Sequence, residues 1–446
     1  MANGKLGIEE VVRQARFSRI HLGLVAACTA VMFLDGMELM LLGKVGPAIT
    51  KDFGVSPKAL TSVFFFQAIG LILGPLIVTP LADRFGRKRV LLGSVAAFGL
   101  LTLATVWTRT MIEVAVLRGL AGIFLSAAIP ASSALLADWA PARWRAALIT
   151  IAFTGFGAGS SMSSVVVLFI LGPYGWLGVF WVSGLAPLLL LPLFWFGTRE
   201  SLQVRARRDA DDPRLLAEVA RIRPDLDLTG ISGVSLEDGA GPAKARLRQI
   251  FGPDRTIVTL LVWAIYFVAL ANIAVLSSWT SAFFNELSGI SLQRVAALDL
   301  VQFPAGLVGS LTIGFLMDRF RSANVLACVY LVYAAVTATI GYLPFGGPAM
   351  IVMFVIWGYC KIAGQAGINA ICAHVYPSNI RSTGLGWAYG VGRIGGLPAP
   401  LIGGWALGAH LSLGQVFILV AAMPAILAVL LFALGRTPAV QASALK

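Results

Sequence analysis

Two acids three residues apart, Asp35 and Glu38, lie inside the otherwise apolar run AVMFLDGMELMLLG at 30–43. On a helix, three residues turn roughly 300°, so the two carboxylates fall within roughly 60° of each other on one face. A carboxylate among apolar groups is costly in its charged form, and two of them on one face repel. A pair that disfavours its own doubly charged form is suited to taking up and releasing a proton. The structural alternative is a solvated kink or a helix-end pair. Arg118 is a third charge in apolar surroundings, on a stripe with Gly122 and Ser126. Its count from the helix end puts it at the depth of Asp35, so an Asp35–Arg118 pair is within reach. Such a pair can close one end of a helical bundle, couple by breaking on protonation, or do both.

A second set of polar residues has a different chemistry. Lys361, Gln365 and Asn369 follow at intervals of four along one helix face, and Arg393 has Tyr389 one turn away. Both cations fall about halfway along their helices. Two cations at one depth can anchor a carboxylate, the guanidinium as a fork and the ammonium as a point charge. Helix packing beside its neighbouring glycines is the other reading of Arg393, and Lys361 could instead pair with an acid elsewhere in the chain. Trp279, Phe283 and Asn272 share a face that offers either a ring for stacking or ordinary core packing.

The elements that must position these groups are membrane spans. The 446 residues are 58% hydrophobic and 12% charged, with a mean hydropathy of +0.85, far too little charge to solvate a soluble surface of this size. About twelve apolar runs of spanning length lie near 20–43, 58–81, 90–108, 111–137, 146–171, 176–197, 256–285, 292–316, 323–344, 348–373, 382–406 and 411–434. The formal charge of +13 sits in alternate loops: DRFGRKR at 83–89, ARWR at 142–145 and an arginine run between 199 and 255. That asymmetry is the positive-inside pattern, which puts those loops in the cytoplasm and argues against nucleic-acid binding. The expected organisation is a cytoplasmic tail at 1–19, a six-helix lobe at 20–198, a cytoplasmic linker at 199–255, a second six-helix lobe at 256–435 and a cytoplasmic tail at 436–446.

The halves repeat. LADRF at 81–85 returns as LMDRF at 316–320, and Gln67 and Gly74 map onto Gln302 and Gly309 at the same offset of 235. Pro141 with Arg145 returns as Pro377 with Arg381. Parallel repeats of this kind build two-lobed transporters with a substrate site between the lobes. The offset takes Asp35 and Glu38 to Leu270 and Ile273, so proton coupling is expected in the first lobe alone.

LADRFGRKRVLL resembles the loop signature between helices 2 and 3 of the major facilitator superfamily. Within it, LDGMELMLLGKVGPAI resembles the D-G-x-D motif of the aromatic acid:proton symporters, with Glu38 in the place of the second Asp. YPSNIRSTGLGWAYGVGRIGG is similar to that family's segment after helix 10. The resemblance covers nearly the whole chain outside the tails and linker. It implies the major facilitator fold and uptake of an aromatic acid with protons, with Asp35 and Glu38 as the acidic pair. Asp138 fits the family's acidic position before the loop that ends in Arg145, which implies a gating role. Lys361 departs from the family pattern, where a small or neutral residue is expected.

Asp83, Arg84, Gly86, Arg87 and Arg89 form a short loop in which a tight glycine turn and an Asp–Arg pair would latch an inner gate. Asp318 and Arg319 echo it without the later glycine, and Arg381 closes the second loop. Lys44, on the helix face opposite Asp35, is expected to snorkel to the membrane interface, and Glu113 and Asp299 to line the outer vestibule. No Gly-x-x-x-x-Gly-Lys-[Ser/Thr] loop or His-Glu-x-x-His set is present, which excludes a phosphate-driven pump and a metalloprotease of those types. The four cysteines have no metal-like spacing. The reading is therefore an all-α membrane protein, not an enzyme, with no cofactor or metal. It is a monomer in the bacterial inner membrane that takes up a small benzoate-like or hydroxybenzoate-like carboxylate with a proton. The alternative on the same fold is a proton-driven exporter, or a carrier for another small organic acid.

Overall fold

The computed structural model describes residues 5–15, 17–141, 143–209, 212–223, 226, 233–235, 251, 255–376, 381–409 and 411–437. A short strand β1 (Lys5–Gly7) and helix α1 (Ile8–Arg13) precede the long helices α2 (Arg19–Asp52), α3 (Leu60–Phe85), α4 (Arg87–Ala104), α5 (Met111–Trp139) and α6 (Arg145–Gly197). Two short helices, α7 (Leu202–Arg208) and α8 (Pro213–Ile222), and a strand β2 (Gly233–Ser235) follow. The second half consists of α9 (Thr256–Ser288), α10 (Leu292–Arg319), α11 (Ser322–Ile340), α12 (Pro348–Val375), α13 (Arg381–Gly395), α14 (Ala399–Gly408) and α15 (Leu413–Gly435). Helices dominate because hydrocarbon supplies no partner for an open backbone donor or acceptor.

Ten of these helices are long and apolar enough to cross a membrane. The count reconciles with the twelve runs of the sequence at two breaks. Within α6, Gly175 adopts φ 64° and ψ −171°, a left-handed conformation that side-chain-bearing residues avoid, and the helix becomes two spans there. The run expected at 382–406 is divided between α13 and α14 at the Gly396-Leu397-Pro398 turn.

The chain forms two compact units. The first comprises Met1–Leu41, Phe66–Ser163 and Leu177–Gly241, and the second Leu42–Phe65, Ser164–Trp176 and Pro242–Lys446. Helices α2, α3 and α6 thus contribute segments to both.

In the first unit, α2 and α6 meet along glycines. A β-carbon on Gly155 would collide with the Thr29 carbonyl, one on Gly159 with the Phe33 carbonyl, and one on Gly36 with the Phe156 carbonyl. Gly155 and Gly159 are one helical turn apart, the small-residue spacing that lets membrane helices approach backbone to backbone. Gly36 follows Asp35 directly, so this seam fixes the stretch of α2 that carries the acids.

The segments expected to be a tail (1–19) and a linker (199–255) contain regular structure. Strand β1 pairs in parallel with β2, Leu6 opposite Val234. Helix α8 buries Leu215, Val219 and Ile222, the four-and-three spacing of an amphipathic helix. High charge in this region hid that short apolar face.

In the second unit, α10 packs on α12, α11 on α15 and α9 on α13. The α10–α12 crossing is tight: a β-carbon on Gly358 would lie 2.6 Å from the Gln302 Cα.

Candidate functional site

The acids of α2 are almost completely buried, Asp35 at 3% and Glu38 at 1% exposure, as is Arg118 of α5 at 2%. Arg118 Nη1 makes an ion pair with Glu38 Oε1. Its Nη2 donates to Thr102 Oγ1 of α4 at 2.7 Å, and that hydroxyl donates to the same Glu38 oxygen at 2.6 Å. The guanidinium carbon lies 5.3 Å from the centre of the Phe180 ring. Glu38 Oε2 and Arg118 Nε have no hydrogen-bond partner among the described residues. Asp35 has interactions of its own, but the partner of Arg118 is Glu38 and not Asp35. The additional methylene of glutamate, one turn further along α2, reaches the guanidinium. Thr102, an inconspicuous hydroxyl in an apolar run, could not be found from sequence. The cluster is a buried charge pair, and neutralising the carboxylate would remove its charge–charge attraction to the guanidinium.

The second cluster is on α12. Lys361 Nζ donates to Gln302 Oε1 of α10 at 2.8 Å and lies 5.3 Å from the centre of the Trp357 ring. Both contacts are to neutral groups. Further along the same face, Gln365 Nε2 is 3.5 Å from Asn369 Oδ1, which also accepts from Tyr266 of α9 at 2.9 Å. The Tyr266 ring lies 5.0 Å from that of Tyr389 on α13, and Arg393 follows Tyr389 by one turn. The polar stripe of α12 is thereby continuous with the helix that carries Arg393. Gln365 Oε1 is a buried acceptor without a partner among the described residues. An ammonium on an aromatic face, beside open amide groups, can hold a carboxylate attached to a ring.

Two expected members of this cluster, Trp279 and Asn272, make contacts of their own. Trp279 is fully buried, 5.1 Å from Phe64 and 6.1 Å from Phe283 between ring centres. A β-carbon on Gly403 would collide with its indole, so no ring face is left for a ligand. Asn272, at 2% exposure, accepts from Tyr333 at 3.0 Å.

Lys44 does not snorkel. It is 9% exposed, hydrogen-bonds Ser164 and lies 3.3 Å from Asp299 Oδ2. Glu113 is a helix-start group, accepting from the Arg109 backbone at 2.7 Å.

The loop signature between α3 and α4 turns at Gly86, whose φ of 101° favours glycine. Arg87 pairs with Asp138 at 2.7 Å and donates to the Ala134 carbonyl at 2.9 Å. Asp138 also accepts from Ser201. Glu200, against Gly86, accepts from the Lys88 backbone at 3.1 Å, and Lys88 Nζ donates to the carbonyls of Trp195 and Thr198 at 2.6 and 2.7 Å. The sequence signal for Glu200 and Ser201 was only their position directly after the last span of the first half. Arg84, Arg89, Arg145, Asp318 and Arg319 are exposed. Asp83 and Arg381 are helical residues whose side chains lie outside the described ones.

The helical fold and its two repeated halves define a multi-pass membrane carrier. A family model described as Major Facilitator Superfamily matches residues 28–358 and again 262–446. The chain belongs to that superfamily, and it is a transporter rather than an enzyme. It is 34% identical to the gallate transporter of Pseudomonas putida, over 94% of each chain. It is 31% identical to the 4-hydroxybenzoate transporter of Acinetobacter baylyi, over 92% of this chain and 90% of that one. Among solved structures, the xylose transporter XylE from E. coli in a partially occluded inward open conformation aligns with a TM-score of 0.71 at 14% identity, over 93% of this chain and 98% of that one.

Proposed function

We propose that this transporter takes up a small aromatic carboxylate together with a proton, by alternating access, as a monomer in the bacterial inner membrane with both termini in the cytoplasm. The observation that carries the substrate reading is Lys361, a cation whose contacts are a neutral amide and an indole face. A carboxylate on a ring would supply a counter-charge in direct contact with this lysine, whose nearby acid Asp299 lies across Gln302, and a π-face beside Trp357. Arg393 is the second anchor in this reading, with Gln365, Asn369 and Tyr389 as polar contacts. The names of the relatives, gallate and 4-hydroxybenzoate transporters, support the same class. Asp35, Glu38 and Arg118 are the proton-coupling group, supported by the burial of all three. The loop residues around Arg87 and Asp138 act as the inner latch, supported by their ion pair at the start of α4.

The test is uptake into proteoliposomes of 4-hydroxybenzoate, gallate and hexanoate, with and without an inward proton gradient. Accumulation of the aromatic acids only when the gradient is imposed is expected. Equal uptake of hexanoate, or accumulation unaffected by the gradient, would overturn the substrate class or the coupling respectively.

A further inference from the structure

Five polar side chains form an unbroken line through the second unit. Lys44 of α2 hydrogen-bonds Ser164 of α6 and lies 3.3 Å from Asp299 Oδ2 of α10. Asp299 Oδ1 accepts from Gln302 Nε2 at 2.6 Å, and Gln302 Oε1 accepts from Lys361 Nζ at 2.8 Å. The line ties a charge pair between a first-half helix and a second-half helix to the cation of the α12 cluster. Asp299 and Gln302 are three residues apart on α10, so their side chains share a face.

The direction of the amide follows from its neighbours. A carboxylate can only accept and an ammonium can only donate, whereas the glutamine amide has one accepting and one donating end. With Asp299 on one side and Lys361 on the other, a single orientation satisfies both. The amide is 5% exposed, and its backbone is held by the close approach of Gly358. The carboxylate at position 299 therefore supports the orientation in which the accepting end of Gln302 faces Lys361. Lys44 in turn balances the Asp299 charge.

We propose that Gln302 is a positioning residue that holds the Lys361 ammonium for the substrate carboxylate, with its orientation set by Asp299 and Lys44. This rests on Lys361 being a substrate anchor. An ammonium has three donors, so Lys361 keeps its bond to Gln302 while offering the other two to an incoming carboxylate. Without the amide, the long lysine side chain regains rotamers that point elsewhere, and affinity falls without a change in the translocation step. The Lys44–Asp299 pair then does more than join two helices, because its polarity is read at the substrate lysine.

Kinetics of 4-hydroxybenzoate uptake by full-length variants in proteoliposomes test this, alongside thermal denaturation of the purified proteins. Gln302→Leu should raise KM about tenfold with kcat changed less than about twofold, the loss of a hydrogen bond to a charged group. Gln302→Glu keeps the shape but sets a carboxylate against the substrate for Lys361, and should raise KM at least as much. The decisive variant exchanges the charges, Lys44→Asp with Asp299→Lys. It restores an ion pair, and with it thermal stability, but an ammonium at position 299 competes with Lys361 for the accepting end of Gln302. KM should remain about tenfold raised. Recovery of KM in the exchanged variant, or a normal KM in both Gln302 variants while Lys361→Ala is impaired, would overturn the positioning role alone. A normal KM for Lys361→Ala would overturn the substrate anchor and this inference with it.

Discussion

Arg118 of α5 closes on Glu38, one turn beyond Asp35 on α2, with the Thr102 hydroxyl touching both partners. Removing one member of a buried ion pair leaves an unmatched charge and costs about 3–5 kcal/mol, whereas replacing both by neutral groups of similar shape is much less costly. Arg118→Leu should therefore lower the melting temperature of the purified protein more than Arg118→Leu combined with Glu38→Leu. Glu38→Gln should fall between wild type and Arg118→Leu, because its amide oxygen still accepts from Arg118 and Thr102. Thermal denaturation in detergent checks the order. A double variant less stable than either single one would mean that the pair is held for its packing rather than its charge.

The repeat, the spans and the loop turn at Gly86 were legible in the sequence because each is a local pattern: apolar run length, basic-loop alternation, or a glycine where φ is positive. The burial of Asp35 and Glu38 followed from the same patterns. What was not legible is which polar group meets which. Lys44 read as a snorkelling lysine because it is near Gly46 and Pro47, read as the outer end of the helix, and Asp299 meets it from another helix. Gln302 stood out only as the repeat of Gln67, although the three-residue step from Asp299 was visible. Trp279 shares a helical face with Asn272, but periodicity cannot distinguish a ring that faces a ligand from one covered by Gly403 and Phe64. The small strand pair at Leu6 and Val234 joins segments too short to carry a periodic signal.

The α2–α6 glycine seam makes a sharper demand than its composition suggests. A β-carbon on Gly159 would collide with the backbone carbonyl of Phe33, which cannot rotate away as a side chain can. The helices must part, and the shift passes to Glu38 just over one turn along α2. Gly159→Val is expected to destabilise by about 1–3 kcal/mol, the usual cost of overpacking. Transport should be lost at temperatures where the variant remains folded. Gly93, with no atom within 4 Å of a β-carbon built on it, is the control, and Gly93→Ala should behave as wild type. Equal stability of the Gly159 and Gly93 variants would remove the seam as the element that sets the position of α2.

Arg393 tests the fork against the point charge. Arg393→Lys preserves the positive charge but not the planar pair of donors that matches both oxygens of a carboxylate. Uptake should continue with KM raised roughly tenfold, the scale expected when a charge-assisted hydrogen bond is lost. The methyl ester of the substrate should compete poorly with wild type and no worse with the variant. A normal KM in the variant, or an ester that competes as well as the acid, would return Arg393 to helix packing beside Gly392 and Gly395, whose β-carbons would meet the backbones of Tyr266 and Phe267.

The division of charge between the halves sets the sign of the coupling. The buried acids Asp35 and Glu38 belong to the first half and the cations Lys361 and Arg393 to the second, so neither acid competes with the substrate carboxylate for those cations. A proton taken up by the acids removes negative charge from the protein and lowers its repulsion of an anionic substrate. Affinity should consequently rise as the solution becomes more acidic, and by reciprocity a bound substrate should favour proton uptake to the same extent. The expected result is a lower Kd for 4-hydroxybenzoate at about pH 6 than at about pH 8, while this benzoate-like acid is ionised at both. The measurement is equilibrium binding to purified protein across that range, with proton uptake on binding followed in weakly buffered solution. Asp35→Asn, which cannot gain or lose the proton, should flatten the Kd profile and abolish gradient-driven accumulation, while exchange at equal pH partly survives. A flat profile in the wild type would make the acids structural. A profile that persists in Asp35→Asn but disappears in Glu38→Gln would move the proton to the partner of Arg118.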